Sequence, residues 1–261
     1  MNFTTPLYNL SPLTRFSDKA ENYTKYRPIY PNTVINKILD NFASLNKIVA
    51  ADIGAGTGIA ARQLANKGLS VIAIEPNSAM REAAEKQQNV EWKNGSAEET
   101  NLPDASVDLI TCLQSFHWFN PQPTLIEFRR ILKEQGRLAI VFQDINREDE
   151  FTQAYGELVS KAANNRPPTD FSSKIEPVRK SSEFEYIDCY KFPYQLELDL
   201  PSLIGLAKSV SFISSEETVQ KQLVDGLEDL YQRFCNSDGY VYLVYRNSVH
   251  LVSISYIEFQ T

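Results

Sequence analysis

One stretch of the chain decides the fold: Ala50-Ala51-Asp52-Ile53-Gly54-Ala55-Gly56-Thr57-Gly58. The apolar run from Ile48 to Ile53 predicts a buried strand, and the three alternating glycines behind it predict a tight turn. Apolar residues then recur at helical spacing from Ile59 until Gly68, which predicts a helix between these positions. A strand, a glycine loop and a helix in this order form the opening unit of a nucleotide-binding parallel sheet.

Three residues indicate which nucleotide this unit binds. The dinucleotide fingerprint needs a glycine at the sixth position counted from the first, and Ile59 occupies that position here. Asp52 would repel a pyrophosphate but attract a ligand that carries an ammonium and a sulfonium. Glu75 ends the next apolar run, at the distance expected of a ribose-binding acid. The pattern therefore favours S-adenosylmethionine over a dinucleotide.

Four blocks of sequence carry a resemblance to a known family. They are Asp52-Ile53-Gly54-Ala55-Gly56-Thr57-Gly58, Glu75-Pro76-Asn77, Gly95-Ser96-Ala97-Glu98 and Val107-Asp108-Leu109-Ile110. In this order they resemble the class I S-adenosylmethionine-dependent methyltransferases, in particular the small-molecule branch. The glycines alone also fit an ordinary turn between strand and helix, but such a turn needs neither of the two acidic residues.

The resemblance implies an α/β fold with a Rossmann-like, doubly wound, mostly parallel seven-stranded sheet. An antiparallel final hairpin strand completes the sheet, and a lid is inserted after the fifth strand. We expect N-terminal cover helices in 1–46, the S-adenosylmethionine-binding core in 47–145, an acceptor lid in 146–214, and a helix with the terminal hairpin in 215–261. The apolar runs on either side of Arg246-Asn247-Ser248 predict that the hairpin turns there.

Composition and charge limit the partners of the chain. Its 261 residues are 43% hydrophobic, which is enough for the core of one large α/β domain. A formal net charge of −7 argues against a nucleic-acid partner. The absence of a long apolar run and the polar start predict no membrane partner and a cytoplasmic location. The widely spaced Cys112, Cys189 and Cys235 predict free thiols rather than disulfides or a metal site.

The resemblance assigns cofactor contacts to the glycine loop, to the ribose acid and to the loops around them. These residues are Asp52, Gly54, Ala55, Gly56, Gly58, Glu75, Pro76, Asn77, Met80, Ser96, Ala97, Glu98, Gln114 and Arg27. Pro76, Asn77 and Met80 are expected along the adenine, although a methionine at helical spacing is also common in cores. An ordinary turn is the alternative for Glu98. We expect a monomer or a homodimer with a small-molecule acceptor as its partner.

The segment Gln114-Ser115-Phe116-His117-Trp118-Phe119-Asn120 follows the predicted fourth strand, at the edge where open α/β sheets bind ligands. It resembles a segment of methyltransferases that act on small carboxylic acids, including trans-aconitate-type and malonyl-carrier-protein enzymes. It differs from the Asn/Asp-Pro-Pro-aromatic signature of amino-group methyltransferases. We therefore favour a carboxylate oxygen as acceptor, with carbon or hydroxyl next. A cofactor-binding protein without catalysis and a nicotinamide-dependent oxidoreductase are the rival interpretations.

Five side chains are candidates for the acceptor side. His117 would serve as a base for a hydroxyl or carbon acceptor, whereas a carboxylate needs none and His117 would then form a pocket wall with Trp118. Arg27 has a planar guanidinium that can donate two parallel hydrogen bonds to a carboxylate of the cofactor or the acceptor. Tyr23 is a substrate candidate that could instead pack its helix against the sheet. Ser209 is a further substrate candidate, with a solvated turn as its alternative.

Overall fold

The computed structural model of the chain describes residues 6–10, 20–167, 169 and 171–254, without the side chain of residue 172. Parts of the predicted cover, 1–5 and 11–19, and the end of the predicted hairpin, 255–261, lie outside these residues. Within the described ranges, no helix combines the length and the apolarity needed to cross a membrane.

Seven strands form one sheet. They are β1 (Val49–Ile53), β2 (Ser70–Ile74), β3 (Val90–Lys93), β4 (Val107–Leu113), β5 (Leu132–Ile145), β6 (Phe184–Leu198) and β7 (Val241–Ile254). Their order in the sheet is β3-β2-β1-β4-β5-β7-β6. The first five strands are parallel, and β7 runs antiparallel to both of its neighbours. The predicted mostly parallel seven-stranded sheet with an antiparallel last strand is confirmed.

Helices cover both faces of the sheet. The α-helices of the described residues are α1 (Ala20–Tyr26), α2 (Asn32–Leu39), α3 (Ile59–Asn66), α4 (Ser78–Glu82), α5 (Pro121–Ile131), α6 (Glu150–Ala162), α7 (Glu176–Arg179), α8 (Leu200–Lys208) and α9 (Glu217–Phe234). One apolar core packs α5 and α7 on one face, and a second packs α2 and α3 on the other. A third core joins α6, α8 and α9 at the end of the sheet.

The predicted hairpin turn around Arg246-Asn247-Ser248 is wrong, because β7 runs unbroken through these residues. Asn247 pairs with Gln143 of β5 on one side and with Phe192 of β6 on the other. The exposed Arg246 and the buried Asn247 alternate as in any strand. Polar residues that favour a turn locally are held in extended conformation by the two neighbouring ladders.

Within the predicted lid, Phe184–Leu198 forms the edge strand β6 of the sheet. Its entire length pairs with β7, apart from a register shift between Tyr186 and Asp188. The helices α6 and α8 of the predicted lid both pack against α9 in the third core. The division of the chain into cover, core and lid stays a prediction.

The strand β1 lies between β2 and β4, and the order of the strands reverses there. Open α/β sheets bind ligands beyond the carboxyl ends of the strands at such a reversal. The glycine loop follows β1 directly, so the fold places this loop where a ligand is expected.

Candidate functional site

The glycine loop turns the chain from β1 into α3 within very little space. Gly54 and Gly58 have φ angles of 67° and 80°, in the left-handed region that favours glycine. A Cβ at Gly54 would lie 2.7 Å from the Cβ of Ser115, and a Cβ at Gly58 would lie 2.7 Å from the ring of Trp92. These two positions therefore need glycine for both the backbone conformation and the close approach of neighbours.

Glu75 connects the glycine loop to the next loop. Its Oε2 accepts a hydrogen bond from the backbone N–H of Gly56 at 2.9 Å, and its Oε1 accepts one from that of Asn77 at 2.9 Å. Burial raises the pKa of Glu75, and the two backbone donors offset only part of that rise. Each carboxylate oxygen still has a lone pair for a further donor, as two ribose hydroxyls would require.

Asp52 presents an unpaired oxygen at the end of β1. The hydroxyl of Thr111 donates to Oδ1 at 2.8 Å, whereas Oδ2 is buried without a hydrogen-bond partner among the described residues. Burial raises the pKa of Asp52 to about 7, although the Thr111 hydroxyl and the nearby backbone N–H of Ala61 act in the opposite direction. A cationic group in front of Oδ2 would satisfy the oxygen and favour the ionised form.

A cavity of about 780 Å³ lies above the glycine loop. This volume is in the range of small-molecule sites. The predicted site residues that line it are Tyr23, Asp52, Gly54, Ala55, Gly56, Glu75, Pro76, Met80, Ser96, Ala97, Glu98, Gln114 and Trp118. The glycine loop, the ribose acid and both following loops thus meet at one cavity, and the individual roles of these residues stay predictions.

Sequence reasoning missed several residues of the cavity wall. They are Tyr8, Asn9, Tyr30, Ile59, Ala60 and Leu113. Ser115, Phe119 and Asn120 also line the wall, and they belong to the segment after β4 that was predicted to lie at the ligand-binding edge of the sheet. No local signal identifies Tyr8 and Asn9, which belong to a short 3-10 turn, Leu7–Asn9, far from the other blocks in sequence.

Three predicted cofactor residues, Arg27, Gly58 and Asn77, do not line the cavity, and the last two have structural roles at helix starts. Gly58 is the N-cap residue of α3. Asn77 is the N-cap residue of α4, where its side-chain Oδ1 accepts a hydrogen bond from the backbone N–H of Met80 at 3.2 Å. Both residues therefore position the neighbouring loops.

His117 also lies outside the cavity lining. Its ring packs 5.6 Å from the ring centre of Trp118 and 5.1 Å from that of Phe171. Burial, with a smaller contribution from Lys174, lowers the pKa of His117 to about 3. Its Nδ1 is buried without a hydrogen-bond partner among the described residues. This aromatic setting keeps the imidazole neutral and places it behind the cavity wall.

Arg27, Tyr23 and Ser209 meet at the border between the predicted cover and lid. The guanidinium of Arg27 lies 5.1 Å from the ring centre of Tyr23, and its Nη2 donates a long hydrogen bond of 3.5 Å to the carbonyl of Ser209. The Ser209 hydroxyl is buried and donates to the carbonyl of Leu206 at 2.6 Å. Of these three residues, only Tyr23 lines the cavity.

Trp118 links the cavity wall to the predicted lid. Its ring stacks on Phe212 at 5.5 Å with an interplanar angle of 18°. The guanidinium of Arg166 lies 3.6 Å from the ring centre of Phe212. Together with the contact between His117 and Phe171, this stack brings the segment after β4 into contact with residues on both sides of β6 in sequence.

Comparisons with known proteins agree with this geometry. Residues 51–140 match a protein family described as a methyltransferase domain. A Dictyostelium discoideum protein named as a methyltransferase is 41% identical over 219 residues, which is 77% of this chain and 78% of its own length. Among solved structures, a type II methyltransferase from Anaeromyxobacter dehalogenans has a TM-score of 0.62 at 19% identity, with 88% of this chain and 98% of its own covered.

A second solved structure holds a ligand. An N-methyltransferase of Haemonchus contortus, solved with S-adenosylhomocysteine, has a TM-score of 0.53 at 18% identity, with 98% of this chain and 61% of its own covered. Similarity to these two structures shows a common fold.

Proposed function

The chain belongs to the class I S-adenosylmethionine-dependent methyltransferases, and from this premise we propose that it methylates a carboxylate oxygen of a small-molecule acceptor. One observation carries the proposal. The described residues that line the cavity include no histidine, lysine or cysteine, and two of the three carboxylates that line it, Asp52 and Glu75, lie on the glycine-loop side. A carboxylate is already ionised near neutral pH, so its alignment with the methyl group and the sulfonium supplies the acceleration without a base.

The glycine-loop side of the cavity fits S-adenosylmethionine. The buried Oδ2 of Asp52, which has no partner among the described residues, suits the ammonium of the methionine part. Glu75, fixed by two backbone N–H groups, suits the ribose hydroxyls. The Glu75 carboxylate would also repel a phosphate in place of a ribose hydroxyl.

The adenine would lie between the two loops that follow. Pro76 and Met80 line the cavity on one side, and Ser96, Ala97 and Glu98 line it on the other. The Ser96 hydroxyl oxygen accepts hydrogen bonds from the backbone N–H groups of Glu98 and Glu99, which gives this turn a fixed shape. When bound, the cofactor would supply a methyl group on a positively charged sulfur. An acceptor oxygen would bond to the methyl carbon as the carbon–sulfur bond breaks and S-adenosylhomocysteine leaves.

The side chains that face the acceptor are mainly aromatic. Trp118 and Phe119 line the cavity beside the end of β4, and their rings would keep water away from the reacting groups. His117 lies behind this wall, which supports a packing role rather than a role as base. A carbon or hydroxyl acceptor is the alternative, and the carboxylate of Glu98, which lines the cavity, is the residue that could take its proton.

Transfer from S-adenosylmethionine with a labelled methyl group tests the proposal on a panel of small carboxylic acids. We expect labelled products that lose their label in mild alkali, because methyl esters hydrolyse there whereas methyl ethers, amines and carbon-bound methyl groups do not. Label that resists alkali would identify a different acceptor atom. Binding of S-adenosylhomocysteine without transfer to any acid would contradict carboxylate methylation.

A further inference from the structure

One contact between the predicted cover and the predicted lid is too close for any side chain larger than that of glycine. Gly205 lies inside α8, and the ring of Tyr26, at the end of α1, packs against it. A Cβ at Gly205 would lie within 2.5 Å of three ring carbons of Tyr26, whereas carbon atoms in contact stay about 3.5 to 4 Å apart. Alanine at this position would therefore displace the ring or the helix that carries it.

The backbone of Gly205 does not itself require glycine. Its φ is not positive, so any residue could adopt the same conformation. Glycine also destabilises the interior of a helix relative to alanine, because it loses more backbone freedom on folding. The position of the Tyr26 ring is therefore the physical reason for glycine here.

Of the two helices, α8 is held more firmly. Leu203, Leu206 and Ala207 of α8 are buried in the third core. Of the seven residues of α1, only Ala20 is buried. A side chain added at Gly205 would therefore shift α1 rather than α8.

The helix α1 also faces the cavity. Tyr23, about one turn before Tyr26, lines the cavity, and its ring would lie 3.8 Å from a Cβ placed at Gly56. Gly56 is the glycine-loop residue whose N–H donates to Glu75. Tyr26 is not among the described residues that line the cavity. The contact between Tyr26 and Gly205 thus acts on the cavity through α1 and Tyr23.

The residue after α1 contacts the end of α8. Nη2 of Arg27 donates to the carbonyl of Ser209 at 3.5 Å, and Ser209 is the C-cap residue of α8. Two successive residues, Tyr26 and Arg27, therefore contact α8, one inside the helix and one at its end. Both contacts hold the end of α1 against α8.

We propose that Gly205 is a positioning residue for cofactor binding: it admits the ring of Tyr26, so that α8 holds α1 and Tyr23 over the glycine loop. Such positioning needs a bound cofactor but no particular acceptor, so failure of carboxylate methylation would leave it intact. When α1 is displaced, Tyr23 no longer covers the glycine loop. The apparent affinity for the cofactor then falls with the fraction of molecules in which α1 is in place.

Calorimetry with S-adenosylhomocysteine compares Gly205→Ala with a matched control, Gly226→Ala. Gly226 lies inside α9, where a Cβ would meet only the flexible end of the Leu158 side chain, at 2.9 Å. We expect Gly205→Ala to weaken binding about tenfold, because the overlap with Tyr26 acts against the position of α1 that binds the cofactor. Gly226→Ala should leave binding unchanged. Equal affinities of the two variants would overturn the proposal.

Tyr26→Leu tests the same contact from the other helix. Leucine removes the ring that a Cβ at Gly205 would overlap, and it should weaken binding severalfold because α1 loses its contact with α8. Gly205→Ala should then add little to the loss in the double variant, since its methyl group fills the space that the ring leaves. Such non-additive losses identify two residues of one contact. Losses that simply multiply would mean that the two residues act separately, against the proposal.

Hydrogen–deuterium exchange of the free protein separates a displaced α1 from a damaged fold. Gly205→Ala should exchange faster than the unaltered protein at Ala20–Tyr26, and equally slowly at 223–230 in the third core. If Gly205→Ala does not fold, Tyr26→Leu gives the same readout in a variant without overlap. Faster exchange in the third core with unchanged exchange in α1 would place the effect within the lid and contradict a role of Gly205 in positioning α1.

Discussion

At the scale of single residues, Asp52 links the cofactor site to pH. Burial brings the pKa of its carboxyl to about 7 in the free protein, and Glu75 adds to the rise. An ammonium in front of Oδ2 stabilises the ionised form, so the pKa falls on binding. Below about pH 7 the free protein holds a proton that binding must release, whereas above this pH the carboxylate is already ionised.

We therefore predict that the affinity for S-adenosylhomocysteine falls by up to about tenfold per pH unit below about pH 7 and is constant above it. Calorimetry in buffers of different ionisation enthalpy should detect proton release on the acidic side. The compound 5′-methylthioadenosine has no ammonium and should show a smaller slope. Asp52→Asn should bring the slope for S-adenosylhomocysteine to the same value, while Asp104→Asn, at an exposed carboxylate, should retain the full slope. Equal slopes for the two compounds in the unaltered protein would contradict this account.

Residues of the site differ in how far sequence could identify them. The positions of Asp52 and Glu75 follow from spacing, because a glycine loop and a strand end fix where a carboxylate can approach the ligand. Asn247 could not be identified, since it lies in a polar triplet that favours a turn. Its burial depends on β5 and β6, which are more than fifty residues away in sequence. Tyr30 lines the cavity for a similar reason, through the packing of a segment without a motif.

At the scale of elements, the glycine loop depends on two separate physical effects. At Gly58, a side chain would have to adopt a φ of 80° and would also overlap Trp92 of β3. At Gly68, after α3, φ is 98° but a Cβ would have no atom within 4 Å. Substitution at Gly68 therefore tests backbone strain alone, whereas substitution at Gly58 tests backbone strain together with contact with β3.

We predict that Gly68→Ala lowers the free energy of unfolding by about 1 kcal/mol, the usual cost of a left-handed backbone for alanine. Gly58→Ala should lower it by about 2 to 4 kcal/mol, because displacement of the Trp92 ring adds to the same strain. Chemical denaturation of the two variants measures both values. Equal losses would show that Trp92 moves at no cost and that backbone conformation alone requires glycine at Gly58.

The elements that sequence predicted well are those with a strong local period. Four of the five parallel strands, β1 to β4, are short runs between turn signals, and the apolar part of β5 follows Gly136. The two antiparallel strands contain polar residues throughout, and they differ in burial: β6 is largely exposed or half-buried, whereas β7 is mostly buried. Their course is decided by pairing with each other and with β5, and a single sequence contains little direct information about such pairing.

At the scale of the whole molecule, two of the three apolar cores contribute residues to the cavity wall, and the third contacts that wall through Phe212. The Trp118–Phe212 stack makes this contact, because Trp118 belongs to the turn after β4 and Phe212 packs against the core of α6, α8 and α9. The contact between Phe151 and Phe234 lies entirely within that third core, with ring centres 5.7 Å apart. The two aromatic pairs therefore allow a matched comparison.

We predict that Phe212→Leu and Phe234→Leu each lower the free energy of unfolding by about 1 kcal/mol, since each loses one aromatic pair. Only Phe212→Leu should loosen the turn that contains Trp118, because that ring loses the surface on which it stacks. Hydrogen–deuterium exchange should then be faster at Phe116–Trp118 in Phe212→Leu and unchanged there in Phe234→Leu. Similar exchange at this turn in both variants would mean that Trp118 is held by the sheet alone, and that the predicted lid moves independently of the cavity wall.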